Sequence, residues 1–291
     1  IMNINKILSK ENQNLDLVAE RHREEYKSAI PFPSIIIENF FDEKFLNQIL
    51  NDFPNLSKIE STQKYMNKNE IKYANNDYTN FPESIKVFLD FLNSNYYLEF
   101  LQKLTSIKEK LVSDPELNGG GLHEIKKGGI LKIHTDFSKH PFLELDRRIN
   151  VLIYLNKNWK EEYGGHLEMW DQDMLECKNK ILPGFNKMVI FSTNDFSNHG
   201  HPDPVTCPPD ISRKSIALYY FSNGRPLFDL NTNQIKNTTY FKDRFGFNNE
   251  VDNKNQKIKN FIRNFRLYKF LKNFEKKYIR TGNSNNKRNI K

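Results

Sequence analysis

Ile130-Leu131-Lys132-Ile133-His134-Thr135-Asp136 is the stretch on which the reading of this chain turns. It follows the turn residues Gly128-Gly129, is mostly apolar, and reads as a strand. Residues two apart on a strand point to the same face. One imidazole and one carboxylate, His134 and Asp136, therefore converge without any special loop. A third donor has to come from a distant strand, and barrels bring such strands together. His199 qualifies, because it stands beyond the apolar strand Met188–Phe191 and its continuation.

Farther along, Arg213-Lys214-Ser215-Ile216-Ala217-Leu218-Tyr219 alternates, so that Arg213, Ser215, Ala217 and Tyr219 share one face. An arginine facing a barrel interior is costly unless an anion neutralises it. A dicarboxylate would supply that anion, gripped by the guanidinium in a two-pronged pair. Ser215 would add a hydroxyl, and Tyr154 could donate to the same carboxylate. Two imidazoles and one carboxylate hold one face of an iron and leave the other open. The pattern predicts an oxygen-activating enzyme.

The surrounding sequence predicts a mainly β fold with flanking helices (α+β). Strands are expected at Leu122–Lys126, Ile130–Thr135, Ile149–Leu155, His166–Trp170, Met188–Phe191, about 193–199 and Lys214–Phe221, with turns at Gly164-Gly165 and Pro183-Gly184. Short strands at this pitch suggest a barrel or sandwich. Upstream, a helix is expected around Asp16–Tyr26, ended by Pro31-Phe32-Pro33, then a buried strand over residues 34–40. Asp42 reads as the N-cap of the next helix. Residues 54–81 read as loops with short pieces, and Pro82 to Leu111 as two helices with a break near Asn93–Asn95. Three segments follow: a helical N-terminal region with an entry strand (1–116), a β core (117–225), and a C-terminal extension (226–291) with a basic amphipathic helix and a disordered end.

The 291 residues suffice for one catalytic domain with additions, and 37% hydrophobic residues allow a packed core. No apolar run approaches the length of a membrane-spanning helix, and no signal peptide is expected. Cys177 and Cys207 are too few for a disulfide framework, which points to free thiols and a cytoplasmic location. The net charge of +8 is unevenly placed. Residues 251–291 carry 13 Lys/Arg against 2 acids, a surplus of +11, so residues 1–250 sum to −3. The basicity belongs to the tail and says little about a substrate. A solvated helix packed on the domain is the first reading of that tail, and contact with an anionic membrane surface the second. No nucleic acid is expected, since no recognised fold accompanies the charge.

Taken in order, Gly119-Gly120-Gly121 through His134-Thr-Asp136, Arg147-Arg148-Ile-Asn-Val-Leu-Ile-Tyr154, Tyr163-Gly164-Gly165-His166, Asn198-His199-Gly-His201-Pro and Arg213-Lys-Ser215 resemble the iron(II)- and 2-oxoglutarate-dependent oxygenases of the prolyl 4-hydroxylase-like branch. The resemblance spans about Gly119 to Phe221, and Ile35–Phe53 resembles the same family's entry segment. It implies a double-stranded β-helix (jelly roll) core. His134, Asp136 and His199 would be the Fe(II) ligands, and Arg213, Ser215 and Tyr154 would hold the distal carboxylate of 2-oxoglutarate. The implied chemistry is decarboxylation of 2-oxoglutarate to succinate with hydroxylation of a substrate by O2, ascorbate serving as accessory reductant. A prolyl or other amino-acid residue is favoured as substrate over a small molecule or saccharide. The oligomeric state is left open.

The chain departs from the family's pattern in places. Ile125 stands where many members have a tyrosine that touches the cosubstrate, and His123, on the same strand face, is a candidate replacement. His201 competes with His199 for the third ligand, with His199 preferred because the family's ligand is commonly followed by a Pro or Val turn. Lys132, two before His134, is expected on the same interior face. His140 and His166 read as surface or hydrogen-bonded imidazoles, Trp159 and Trp170 as packing residues, and Cys177 as a buried thiol rather than a ligand. At least one of Arg147 and Arg148 is expected to meet solvent or a carboxylate. Two other classes fit part of the pattern: a non-enzymatic jelly-roll binding module, and a cupin-like metal enzyme that does not use 2-oxoglutarate. Neither needs the Arg213-x-Ser215 pair.

Overall fold

Period-two alternation sorts the side chains of the central strands into two cores. The computed structural model describes residues 6–229 and 238–244. Strand β7 (Asp146–Tyr154) points Ile149, Val151 and Ile153 into a large apolar cluster, while Asn150, Leu152 and Tyr154 face a cavity on its other side. Strand β12 (Arg213–Ser222) divides likewise: Ile216, Leu218 and Tyr220 join the cluster, and Arg213, Ser215 and Tyr219 face the cavity. A strand buried on both faces needs a partner layer on each.

The partner layer on the outer face is helical. Helix α1 (Leu15–Ser28) starts where Asn14 accepts a hydrogen bond from the Leu17 amide, and α2 (Glu43–Asp52) where Asp42 accepts from Phe45. Helices α3 (Glu83–Asn93) and α4 (Asn95–Thr105) are divided at Ser94, whose hydroxyl accepts from the Tyr97 amide. This is the break expected near Asn93–Asn95. Phe40, Phe41, Phe88, Phe91 and Phe100 are wholly buried among these helices, each worth about 2–3 kcal/mol relative to exposure. Polar tips tie the layers together: Tyr220 donates to the Leu92 carbonyl (2.8 Å), and Tyr26 shares a hydrogen bond with Ser192 (2.7 Å).

Thirteen strands among the described residues form one antiparallel sheet, ordered β1-β10-β7-β12-β5-β3-β6-β11-β8-β9, with β2 on β3, β4 on β12 and β13 on β6. The remaining strands are β1 (Ser34–Glu38), β2 (Gln63–Met66), β3 (Glu70–Asn75), β4 (Leu111–Val112), β5 (Gly121–Ile125), β6 (Ile130–Thr135), β8 (Leu167–Trp170), β9 (Cys177–Ile181), β10 (Lys187–Ser192), β11 (Asn198–His201) and β13 (Tyr240–Phe241). The sheet curls over on itself. Phe191 of β10 lies 4.7 Å from the His199 ring of β11, although five strands in the order separate them. The result is the jelly roll expected from the sequence, with β3 bridging the two walls.

Three regions differ from their sequence reading. Residues 54–81 are not merely loops, because the polar segments at 63–66 and 70–75 pair as a hairpin and β3 joins the sheet. Neither strand is strongly apolar, and only their cross-strand partners order them. The strand expected at about 193–199 forms at Asn198–His201, since Asn194, Phe196 and Ser197 are committed to local turn hydrogen bonds. Strand β9, with alternating exposed residues, carries too weak an apolar signal to be read. The basic helix and end expected after residue 250 lie outside the described residues.

Candidate metal and anion site

His134 and His199 are exact register partners on β6 and β11, and Asp136 follows just beyond β6. Pairing brings the two imidazole rings to 4.5 Å between centroids. The Asp136 carboxylate sits 3.6 Å from His134 Nε2 and 3.4 Å from His199 Nε2. One donor atom from each residue lies within 4.8 Å of the others, the one such group of metal-ligating side chains found among the described residues. His201 pairs with Leu131 instead and lies outside this group.

Backbone carbonyls orient both rings. His134 Nδ1–H donates to the Lys132 carbonyl (2.8 Å) and His199 Nδ1–H to that of Ser197 (3.0 Å). The opposite Nε2 lone pairs are thereby turned toward the shared centre, as metal-binding histidines require. Burial pushes His199 down to about 4, opposed by Asp136 and assisted by His134, so it is neutral and able to ligate at pH 7.

Asp136 is held from behind. Burial alone would push its carboxyl up, but Arg147, His199 and His134 together keep it well below the ordinary carboxylate range. Arg147 Nη2 lies 3.0 Å from Oδ2, and Asn150 Nδ2 donates to the same oxygen at 2.8 Å. Arg147 also donates through Nε and Nη2 to Asn150 Oδ1 (3.0 and 2.6 Å) and stacks on the Tyr219 ring at 3.4 Å. Sequence reasoning left the roles of Arg147 and Asn150 undefined. Asn150 could have been found from the alternation that places it with Leu152 and Tyr154 on the cavity face. Arg148, the neighbour, turns the other way and pairs with Glu109 at 2.8 Å. Both arginines are buried, so the carboxylate expectation holds for each.

Arg213 is the second focus. It is 4% exposed, yet among the described residues its hydrogen bonds reach only neutral groups: Nε to the Gly165 carbonyl (2.7 Å) and Nη2 to the Tyr154 hydroxyl (3.3 Å). Burial lowers its pKa and raises that of Tyr154. Gly165 has φ +68°, and a Cβ there would meet Arg213 Cδ at 2.9 Å, so only glycine lets the guanidinium pass. Ser215 is buried on the same wall, in register with Tyr154 of β7 and His123 of β5. All six expected site residues line one cavity of about 270 Å³.

The other sequence readings resolve individually. Lys132 does not line this cavity, whereas Leu131 does. Between His199 and His201 the pairing with β6 slips by one residue, and that bulge turns Leu131 inward. His140 accepts from the Phe142 and Leu143 amides and faces Asp114, and His166 pairs with Glu161 at 2.6 Å, so both are structural. Trp159 and Trp170 are buried packing residues. Cys177 and Cys207 are unpaired, and Cys177 is half-buried rather than buried because it lies on the open strand β9. No helix of the described residues is long and apolar enough to cross a membrane.

A curled antiparallel sheet that aims two imidazoles, a carboxylate and an uncompensated guanidinium into one cavity is the arrangement of a jelly-roll oxygenase. Residues 120–221 match the 2OG-Fe(II) oxygenase superfamily. The chain carries the domain of an Fe(II)- and 2-oxoglutarate-dependent dioxygenase, with the fold of the prolyl 4-hydroxylase-like branch. Among solved structures it is similar to a prolyl hydroxylase from Trichoplax adhaerens in complex with a hypoxia inducible factor oxygen degradation domain peptide fragment. That match has a TM-score of 0.53 and 16% identity, covering 73% of this chain and 92% of that one. It is also similar to a prolyl 4-hydroxylase from Phytophthora capsici (TM-score 0.51, 16% identity, covering 76% of this chain and 66% of that one). No curated protein matches the chain in sequence. Members of the superfamily use Fe(II) and 2-oxoglutarate, and the residues present fit both. The nitrogen and oxygen donors suit a ferrous ion, and the buried, carboxylate-free Arg213 suits a diacid.

Proposed function

We propose that the protein is a hydroxylase in which His134, Asp136 and His199 hold Fe(II) and Arg213, Ser215 and Tyr154 hold the distal carboxylate of 2-oxoglutarate. Its substrate is a prolyl or other amino-acid residue. The observation that carries the reading is Arg213: a buried cation whose described partners are a carbonyl and a phenol, in the same cavity as the three donors. A binding module has no use for that uncompensated charge, and a metal enzyme without a 2-oxo acid has none either.

Bound iron and cosubstrate supply the oxidising chemistry, converting O2, 2-oxoglutarate and a C–H bond into succinate, carbon dioxide and a C–OH group. The chain supplies position and charge. His134 and His199 turn Nδ1 to backbone carbonyls, which aims Nε2 at the centre as the donor atom. Asn150 and Arg147 hold Asp136 Oδ2, fixing the carboxylate's rotation. Arg213 neutralises the diacid and Tyr154 adds a donor. Phe137 and Tyr219, edge to face at 6.2 Å, wall one side and limit water entry. Fold similarity to a prolyl hydroxylase solved with a peptide supports an amino-acyl substrate. The unpaired thiols accord with a cytoplasmic setting.

Anaerobic addition of Fe(II) and 2-oxoglutarate should give a weak visible charge-transfer band, and admission of air should release succinate. A peptide and metabolite screen for added oxygen mass then identifies the substrate. Iron binding with no 2-oxoglutarate-dependent band would support the cupin-like alternative, and absence of iron binding the binding module.

A further inference from the structure

His201 is 3% exposed, lines the cavity, and among the described residues neither ring nitrogen has a hydrogen-bond partner. His123 lines the same cavity, and its Nε2 is likewise buried and unpartnered. Buried imidazole nitrogens without partners destabilise a protein, so their retention asks for a ligand that completes them. The contrast within this chain is instructive. His134, His140, His166 and His199 all have hydrogen bonds. The two that lack them on buried nitrogens both sit near Arg213.

Their placement is fixed by register. His123 on β5 pairs directly with Ser215 on β12, two residues from Arg213 on the same face. His201 on β11 stands beside the Gly164-Gly165 turn, whose second residue accepts from Arg213 Nε. Arg213 and Lys72 line the same cavity as both imidazoles. Lys72 is already paired with Glu70 at 3.3 Å. Among the described residues no acceptor reaches either nitrogen of His201, and no carboxylate bonds Arg213.

We propose that His201 is a 2-oxoglutarate-binding residue, donating an imidazole N–H to the carboxylate that Arg213 neutralises. The inference rests on the functional reading above and deepens it. The diacid is held by one imidazole donor in addition to Arg213, Ser215 and Tyr154. His123 holds its proton toward the Gly119 carbonyl, so its free Nε2 is an acceptor and adds no donor for the diacid.

The test is calorimetric titration of 2-oxoglutarate into the anaerobic Fe(II)-loaded protein, with thermal unfolding of the metal-free protein alongside. His201→Leu should raise the Kd for 2-oxoglutarate about tenfold, as expected for one hydrogen bond to a charged group. Its Fe(II) affinity should stay at the wild-type value, and its metal-free melting temperature should hold or rise. His201→Gln, which keeps an N–H donor, should recover most of the affinity. Unchanged affinity in His201→Leu, while wild type binds, overturns the proposal alone. A loss that glutamine does not rescue means packing rather than hydrogen bonding and overturns it as well. Wild-type protein that binds iron but not 2-oxoglutarate overturns the functional reading and this inference together.

Discussion

Arg213→Met should move cosubstrate affinity and stability in opposite directions. In the metal-free protein the guanidinium is buried and its described partners are Gly165 O at 2.7 Å and Tyr154 Oη at 3.3 Å. Removing it forfeits two hydrogen bonds to neutral groups, about 1 kcal/mol each. It also removes an unpaired buried cation, whose desolvation costs several kcal/mol. The balance is near zero or favourable, so the metal-free variant should melt no lower than about 4 °C below wild type. Cosubstrate binding should behave differently. Truncating one partner of a buried charge pair costs about 2–5 kcal/mol, which weakens 2-oxoglutarate roughly 30-fold to a few thousand-fold. At a concentration about 100 times the wild-type Kd, the cosubstrate should stabilise wild type by about 2.7 kcal/mol and the variant by less than about 1 kcal/mol. Scanning calorimetry with and without 2-oxoglutarate, plus metal analysis, reads all three quantities. Retained cosubstrate stabilisation in the variant would refute the anion-site assignment. A large collapse of the metal-free variant would show that Arg213 is a structural brace.

Asp136→Ala should abolish iron retention and succinate formation, checked by metal analysis after desalting and by product chromatography; equal succinate from both proteins would remove Asp136 from the ligand set. Asn150→Ala deletes the 2.8 Å hydrogen bond to Asp136 and should weaken Fe(II) binding about 10- to 100-fold without unfolding the chain, measured by competition with a chelator. For pH, the sign follows from His199, whose folded pKa of about 4 lies below the ordinary 6.5. The unfolded chain binds the proton first, so stability is full above about pH 6.5 and falls as pH drops toward 4. At pH 5 the loss from this residue is about 2 kcal/mol relative to pH 7, and urea midpoints that are flat over that range would contradict the neutral, buried state.

Much of the site was legible because it obeys a short-range rule. Arg213-x-Ser215 lies on one strand face, and His134-x-Asp136 keeps the same relation one residue past the end of β6, whatever the arrangement of the rest of the fold. Two helices broken at Ser94 were legible for a similar reason, since a cap residue and two apolar stripes are local signals. What stayed hidden depends on pairing between distant strands. Nothing local says that His199 rather than His201 faces His134; the register of β11 on β6 decides it, and a bulge just beyond carries His201 away. The same bulge overrode simple alternation at Lys132. The β2–β3 hairpin and β9 are polar segments ordered by neighbours, and Arg147 finds Asp136 only once β7 lies across from β6.

Strand β13 has a consequence for handling the protein. Tyr240 and Phe241 pair with Thr135 and His134, and Lys242 donates to the Ile133 carbonyl, so residues from far along the chain cover the outer margin of the ligand-bearing strand. Arg244 fastens the segment to Asp203 at 2.7 Å. A shortened chain ending before Thr238 would leave that margin bare, with backbone groups free to recruit a second molecule. Trimming the basic tail for crystallisation should therefore stop after Arg244, or the trimmed protein will self-associate through the strand that carries His134.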